Sequence, residues 1–248
     1  VTVATADNAN GDSGALNVGS SGTLIGGNLE LQGTAKLLTG TAAKTDAAAT
    51  SGAVSVYATG DIKGAGSIET GVATVTDTAL NASSNPATTG SITLKGAEIS
   101  ENGTLAFDVK IATPVAAAGT GAADVVLAPG TLTLESTGTT ANTGDIVVTS
   151  ANTLNVGTIT FNNSAAQALT LTTTGNGSDL RLNGAITNGA LVTATVSASG
   201  NTTNDVVFNS SMTAKSWQID ATGNVTAVTG VTVATADNAN GDSGALNV

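Results

Sequence analysis

Residues Val1 to Val18, VTVATADNANGDSGALNV, return without a change as Val231 to Val248. Position n and position n + 230 are therefore the same place in a repeating unit, and the 248 residues read as one 230-residue unit plus the first 18 of the next. Repeats of this kind belong to stacked architectures, in which each element buries its apolar face only against its neighbours.

A shorter repeat lies inside the long one. A small or turn residue followed by apolar residues two and four places later occurs at Gly14-Ala-Leu16-Asn-Val18, Gly52-Ala-Val54-Ser-Val56, Gly90-Ser-Ile92-Thr-Leu94, Gly130-Thr-Leu132-Thr-Leu134, Gln167-Ala-Leu169-Thr-Leu171, Asn204-Asp-Val206-Val-Phe208 and Gly244-Ala-Leu246-Asn-Val248. The spacings are 38, 38, 40, 37, 37 and 40, together the 230 of the long repeat. Alternation of apolar and polar residues bounded by Gly, Asn and Ser is the signature of a half-buried strand. Second strands are expected at Leu29 to Leu31, Ile68, Leu105 to Phe107, Ile146 to Val148, Leu180 to Leu182 and Trp217 to Ile219, and less regular third ones at Thr34 to Leu38, Gly71 to Val75, Asp108 to Ile111, Gly157 to Phe161, Gly189 to Val196 and Gly223 to Val228. Thr-, Ala-, Asn- and Ser-rich stretches such as Thr41 to Thr50 read as loops, and no segment has the period of an amphipathic helix.

Three short strands and a loop at near-constant spacing predict an all-β chain folded as a right-handed parallel β-helix, a β-solenoid of about six coils of ~38 residues per unit. The coils are expected near 13–50, 51–88, 89–128, 129–165, 166–202 and 203–242, with 231–248 opening the next unit. Pairs such as Gly14 and Gly33, or Gly52 and Gly71, stand 19 apart and leave two short coils per 38 residues open. One long coil is favoured because the longer spacing persists. A row of Ig-like sandwiches would need units of about 100 residues and larger core aromatics. The chain has one Trp, one Tyr and three Phe, so its core must be built from small aliphatic side chains.

Seven Lys and Arg against 18 Asp and Glu give a net charge of −11, and Arg181 is the only arginine. That balance argues against nucleic acid or an anionic membrane as partner, since both need clustered cations. The acidity reads instead as a self-repelling outer surface. Without Cys, compartment cannot be read from disulfides, and no apolar run of about 18 residues or charged-then-apolar leader is visible.

The runs Gly52-Ala-Val-Ser-Val-Tyr-Ala-Thr-Gly-Asp-Ile62 and Gly177-Ser-Asp-Leu-Arg-Leu-Asn-Gly-Ala-Ile-Thr187 resemble the haemagglutination-activity repeats of filamentous haemagglutinin-like adhesins, secreted by Gram-negative bacteria through a partner outer-membrane pore. The resemblance covers the whole chain in style. It implies a right-handed β-helix, export, and attachment to cells or surfaces. The family's secretion domain and attachment motifs have no match here.

With no His and no Cys, Ser/His/Asp and Cys/His catalysis and the usual zinc sites are excluded. The densest charged group, Glu98, Glu101, Asp108 and Lys110, reads as a solvated face, and no enzyme activity is expected. No cofactor is expected either, with calcium as the one option: Asp7, Asn8, Asn10 and Asp12 place carboxylate and amide oxygens close together in the turn Asp7 to Gly14, repeated at Asp237 to Gly244. The turn departs from an EF-hand loop at Ala9, Gly11, Asp12 and Val18, and a polar turn between coils is the favoured reading. Asn-x-Ser/Thr triplets occur at Asn81, Asn102, Asn162, Asn176, Asn201, Asn209 and Asn224, most of them expected by chance in such a composition. Trp217 and Phe208 are core residues if they face inward and a sugar platform if outward.

These readings converge on a structural segment of an extracellular bacterial fibre, a rigid stalk or filament with an adhesive role. Its expected partners are copies of itself along the fibre axis and a host, cell-surface or glycan target, with no membrane insertion by this segment. The rivals are a calcium-dependent surface-layer lattice and a β-helix glycan-processing enzyme.

Overall fold

The computed structural model describes residues 1–78, 85–100, 107–122, 125–139, 143–162, 165–200, 203–236 and 244–248, with the side chain of Phe107 outside the description. Short strands dominate, and every strand-to-strand ladder among them is parallel. Two large sheets organise the chain. The first runs Thr2–Ala4, Lys36–Leu38, Ser67–Glu69, Phe107–Lys110, Ile146–Ser150, Gln167–Thr173, Val192–Ala198, Ser216–Ala221 and Leu246–Asn247. The second runs Leu16–Val18, Val54–Tyr57, Ile92–Gly96, Leu132–Ser136, Leu154–Phe161, Leu180–Leu182, Val206–Phe208 and Val225–Ala227. In chain order these strands alternate strictly between the sheets, so each circuit adds one strand to each.

The alternation of side chains explains why these segments become strands. Ile92–Gly96 and Leu132–Ser136 bury every second residue, and Gln167–Thr173 does so over seven. Inward residues from both sheets form one apolar cluster, in which Val54, Ile92 and Leu132 stand directly over one another. Its largest side chains are Trp217, Phe161 and Phe208.

Leaving the first sheet for the second, the chain makes three excursions, each a pair of strands. Ala42–Thr45, Ala73–Thr76 and Val115–Ala117 stack in parallel, as do Ala49–Thr50, Pro86–Thr88 and Val126–Ala128. We call these pairs arches. Residue 8 bridges Ala42, which sets the Asp7 to Gly14 turn against the first arch. The arches enclose a second, smaller apolar cluster of Ala49, Ala73, Val75 and Ala87.

The expected stride holds through the first half. Leu16, Val54, Ile92 and Leu132 are successive partners, 38, 38 and 40 residues apart. It changes at Leu132, whose partner is Val156, while Leu134 pairs with Ile159 across a register shift. Leu154 then pairs with Leu180 and Leu180 with Val206, steps of 26 residues, and Val206 with Val225, a step of 19. The expected partner run, Leu169 to Leu171, lies in the first sheet opposite Ile146 to Val148. The reason is physical: beyond Leu132 the chain passes from the first sheet to the second with no arch, so a circuit needs fewer residues. The two copies of the repeated segment also sit differently, Leu16 against Val54 in the second sheet and Leu246 against Trp217 in the first.

Candidate functional site

The arches are held at each side of the neck by a recurring bond, in which a Gly N–H of one layer donates to a Thr or Ser hydroxyl of the layer before. On one side Ser13 Oγ accepts the Gly52 N–H at 2.8 Å, Ser51 Oγ the Gly90 N–H at 3.0 Å, and Thr89 Oγ1 the Gly130 N–H at 2.9 Å. On the other, Thr5 Oγ1 accepts the Gly40 N–H at 2.8 Å and Thr39 Oγ1 the Gly71 N–H at 3.0 Å. Thr39 also donates to the Gly52 carbonyl at 2.8 Å, tying the two sides together. Glycine is required by close approach: a Cβ on Gly52 would lie 1.9 Å from the Gly14 carbonyl oxygen, and one on Gly90 2.0 Å from that of Gly52. The Gly14, Gly52, Gly90 and Gly130 column was visible in the sequence as strand markers. Its hydroxyl partners were missed, although the pairs Thr39-Gly40 with Ser51-Gly52, and Thr70-Gly71 with Thr89-Gly90, bracket the first two arches.

The four residues considered for calcium do meet in one turn. Asp7 Oδ1 accepts the Thr41 N–H at 2.7 Å, and Asn8 closes the turn on itself, donating to the Asp12 carbonyl at 3.1 Å and accepting the Asn10 N–H at 3.2 Å. Asp12 Oδ1 accepts the Thr50 N–H at 2.7 Å, and Oδ2 pairs with Lys44 Nζ at 2.9 Å. The Lys44 ammonium, followed by the Thr50 N–H, holds the Asp12 carboxyl below its usual range. The two carboxylates thus act as stitches to the next layer, while Asn8 works within the turn. Among the described residues no three Asp or Glu side chains converge as a metal cluster. The second copy of the turn falls largely on 237–243, outside the described residues.

Of the charged group, Glu101 lies outside the described residues. Glu98 is buried, and Asp108 and Lys110 form an ion pair at 2.9 Å on the first sheet. Three residues not singled out beforehand, Glu69, Lys36 and Ser67, complete that row: Glu69 Oε1 lies 2.8 Å from Lys36 Nζ, 3.6 Å from Lys110 Nζ and 2.6 Å from Ser67 Oγ. Burial alone would raise the Glu69 carboxyl, but Lys36, Ser67 and Lys110 outweigh it and the net shift is downward. Lys110 is raised, chiefly by its hydrogen bond to Asp108. The row links three adjacent strands, again a stacking device.

Trp217 and Phe208 face inward, edge to face with ring centres 5.7 Å apart, and Trp217 Nε1 donates to the Ala234 carbonyl at 2.8 Å. They are core residues, so the sugar-platform alternative falls. Of the glycosylation triplets, Asn81, Asn102 and Asn201 lie outside the described residues. Asn162 donates to Glu135 at 2.8 Å and Asn209 to Asn183 at 2.7 Å. No helix among the described residues is long and apolar enough to cross a membrane. No protein-family model, curated protein or solved structure matches the chain.

Proposed function

We propose that this chain is a structural repeat segment of an extracellular bacterial β-solenoid fibre, a right-handed parallel β-helix that serves as a rigid, adhesive stalk or filament. The observation that carries the reading is the strict alternation of the chain between two parallel sheets, every inner strand being paired on both sides. Such a form stiffens with each added layer, because backbone hydrogen bonds run along the axis and the apolar column is continuous. The 18-residue identity of Val1 to Val18 with Val231 to Val248, 230 residues on, is the repeat feature on which the fibre reading draws. The adhesive role and the bacterial surface rest on the resemblance to haemagglutinin-like repeats.

Nine strands in the first sheet correspond to eight steps along the axis. At about 4.8 Å each, they place the two ends roughly 38 Å apart. Electron cryomicroscopy of a polymer of two or more units tests this. A layer line near 4.8 Å along the axis and a helical reconstruction of right-handed coils are expected; separate globules on a string would end the stalk reading.

A further inference from the structure

Where the last arch ends, it overhangs the outer face of the second sheet and encloses a cavity of about 230 Å³. Leu127 of the arch and the flanking Ile111, Pro114 and Pro129 line it on one side, and Thr153, Asn155 and Arg181 on the other. Asn155 alternates with the inward Leu154 and Val156 and so points outward, where a polar residue normally meets water. Here it is only 8% exposed. No protein group among the described residues bonds its side-chain amide, which is left to whatever fills the cavity.

Arg181 stands beside it on the next strand, opposite Asn155 in the ladder. One guanidinium nitrogen donates to Asp179 at 2.8 Å. Five N–H groups fan out from a guanidinium, so most of them remain for a ligand. The only arginine of a chain of net charge −11 therefore stands at a cavity with an orphan amide. Thr153 Oγ1 accepts the Asp179 N–H at 3.2 Å and keeps its own proton to donate, and Thr113 adds a second hydroxyl.

We infer that this cavity binds a single sugar-acid residue, its carboxylate on Arg181, its hydroxyls on Asn155, Thr153 and Thr113, and its less polar face against Pro114, Leu127 and Pro129. The volume is below the range of drug-sized pockets and suits one small ring. The overall negative charge disfavours densely charged polyanions, whereas one carboxylate answers one guanidinium. This goes beyond the stalk function and does not depend on polymerisation.

The test uses the 248-residue chain in low salt, titrated by NMR with methyl glucuronide, methyl glucoside, acetate and acetyl-glycyl-valine. Expected is at least tenfold tighter binding of the glucuronide than of the other three, with shifts at Asn155 and Arg181. Arg181→Gln and Leu127→Glu, both at exposed side chains, should each weaken it tenfold or more with circular dichroism and melting unchanged. Equal binding of glucuronide and glucoside, or binding untouched by both variants, would overturn the site. Equal binding of acetate or the dipeptide would overturn the sugar assignment.

Discussion

The arch-bearing circuits up to Ser136 and the short circuits after it share the same two sheets but are held together differently. The arches share a small core of alanines and one valine, Ala49, Ala73, Val75 and Ala87, drawn from the first two of them and too small to contribute much apolar burial. Their shape is kept by hydroxyl-to-backbone bonds at the neck and by carboxylates such as Asp12 and Asp46 that receive N–H groups of the next layer. The short circuits have no arch, add Phe161, Phe208, Met212 and Trp217 to the shared core, and close their corners with Asp179 and Asp205, each accepting the N–H one circuit on. Polar stitching sets shape in both regions; the aliphatic core column runs through both, while the arches add little burial of their own and the buried aromatic rings stand only in the second.

The largest effect that would sharpen this contrast is expected from Trp217→Ala. It removes the biggest buried side chain and the bond to Ala234, and should cost about 3–5 kcal/mol by denaturant titration. Val75→Ala in the arch core should cost about 2 kcal/mol or less, since two methyl groups are lost. Equal losses at the two positions would break the distinction between the regions. Next comes Gly52→Ala, where the added Cβ meets the Gly14 carbonyl at 1.9 Å and the layers must part, at about 3 kcal/mol. Gly157→Ala, whose Cβ would find nothing nearer than 3.5 Å, is expected to be neutral or stabilising by about 0.5 kcal/mol.

What could be read in the sequence follows the same division. The column Leu16, Val54, Ile92, Leu132 was legible because each of its strands is preceded by a glycine and alternates cleanly. The loss of stride after Leu132 was not, because Leu132-Thr-Leu134 and Leu169-Thr-Leu171 are the same pattern and period 2 does not say which sheet a strand joins. The arch strands Ala42–Thr45 and Ala49–Thr50 read as loop, since Ala and Thr give little contrast between inner and outer faces. The calcium-type turn was legible as a turn. The groups its oxygens meet, Thr41, Lys44 and Thr50, lie 32 to 38 residues away and depend on the stacking register. Asn155 gave no signal at all, because its burial comes from an arch more than twenty residues earlier.

Thr39→Val tests the neck itself. The hydroxyl both donates to Gly52 and accepts from Gly71, and valine keeps the shape while leaving a buried carbonyl and N–H without partners. A loss of about 1–2 kcal/mol is expected. If hydrogen exchange at Gly71 and through the first two arches stayed as slow as in the parent, hydroxyl stitching would not be what shapes them.

The smallest effect concerns acid. Asp12 titrates below its ordinary value in the folded chain, because protonation would forfeit the Lys44 and Thr50 bonds. A depressed folded pKa means that its contribution is complete above the unfolded value of about 3.9 and disappears as pH falls through the folded one. The side chain is 52% exposed, so screening by water limits the contribution to about 0.2–0.5 kcal/mol. Asp12→Asn should therefore melt slightly below the parent at pH 7, and the gap should close as pH falls through the depressed folded pKa and narrow in high salt. A gap that persisted unchanged into acid would mean that Asp12 acts through the shape of its turn and not through charge, which would make the arch stitches neutral hydrogen bonds like those of Thr39 and Ser51.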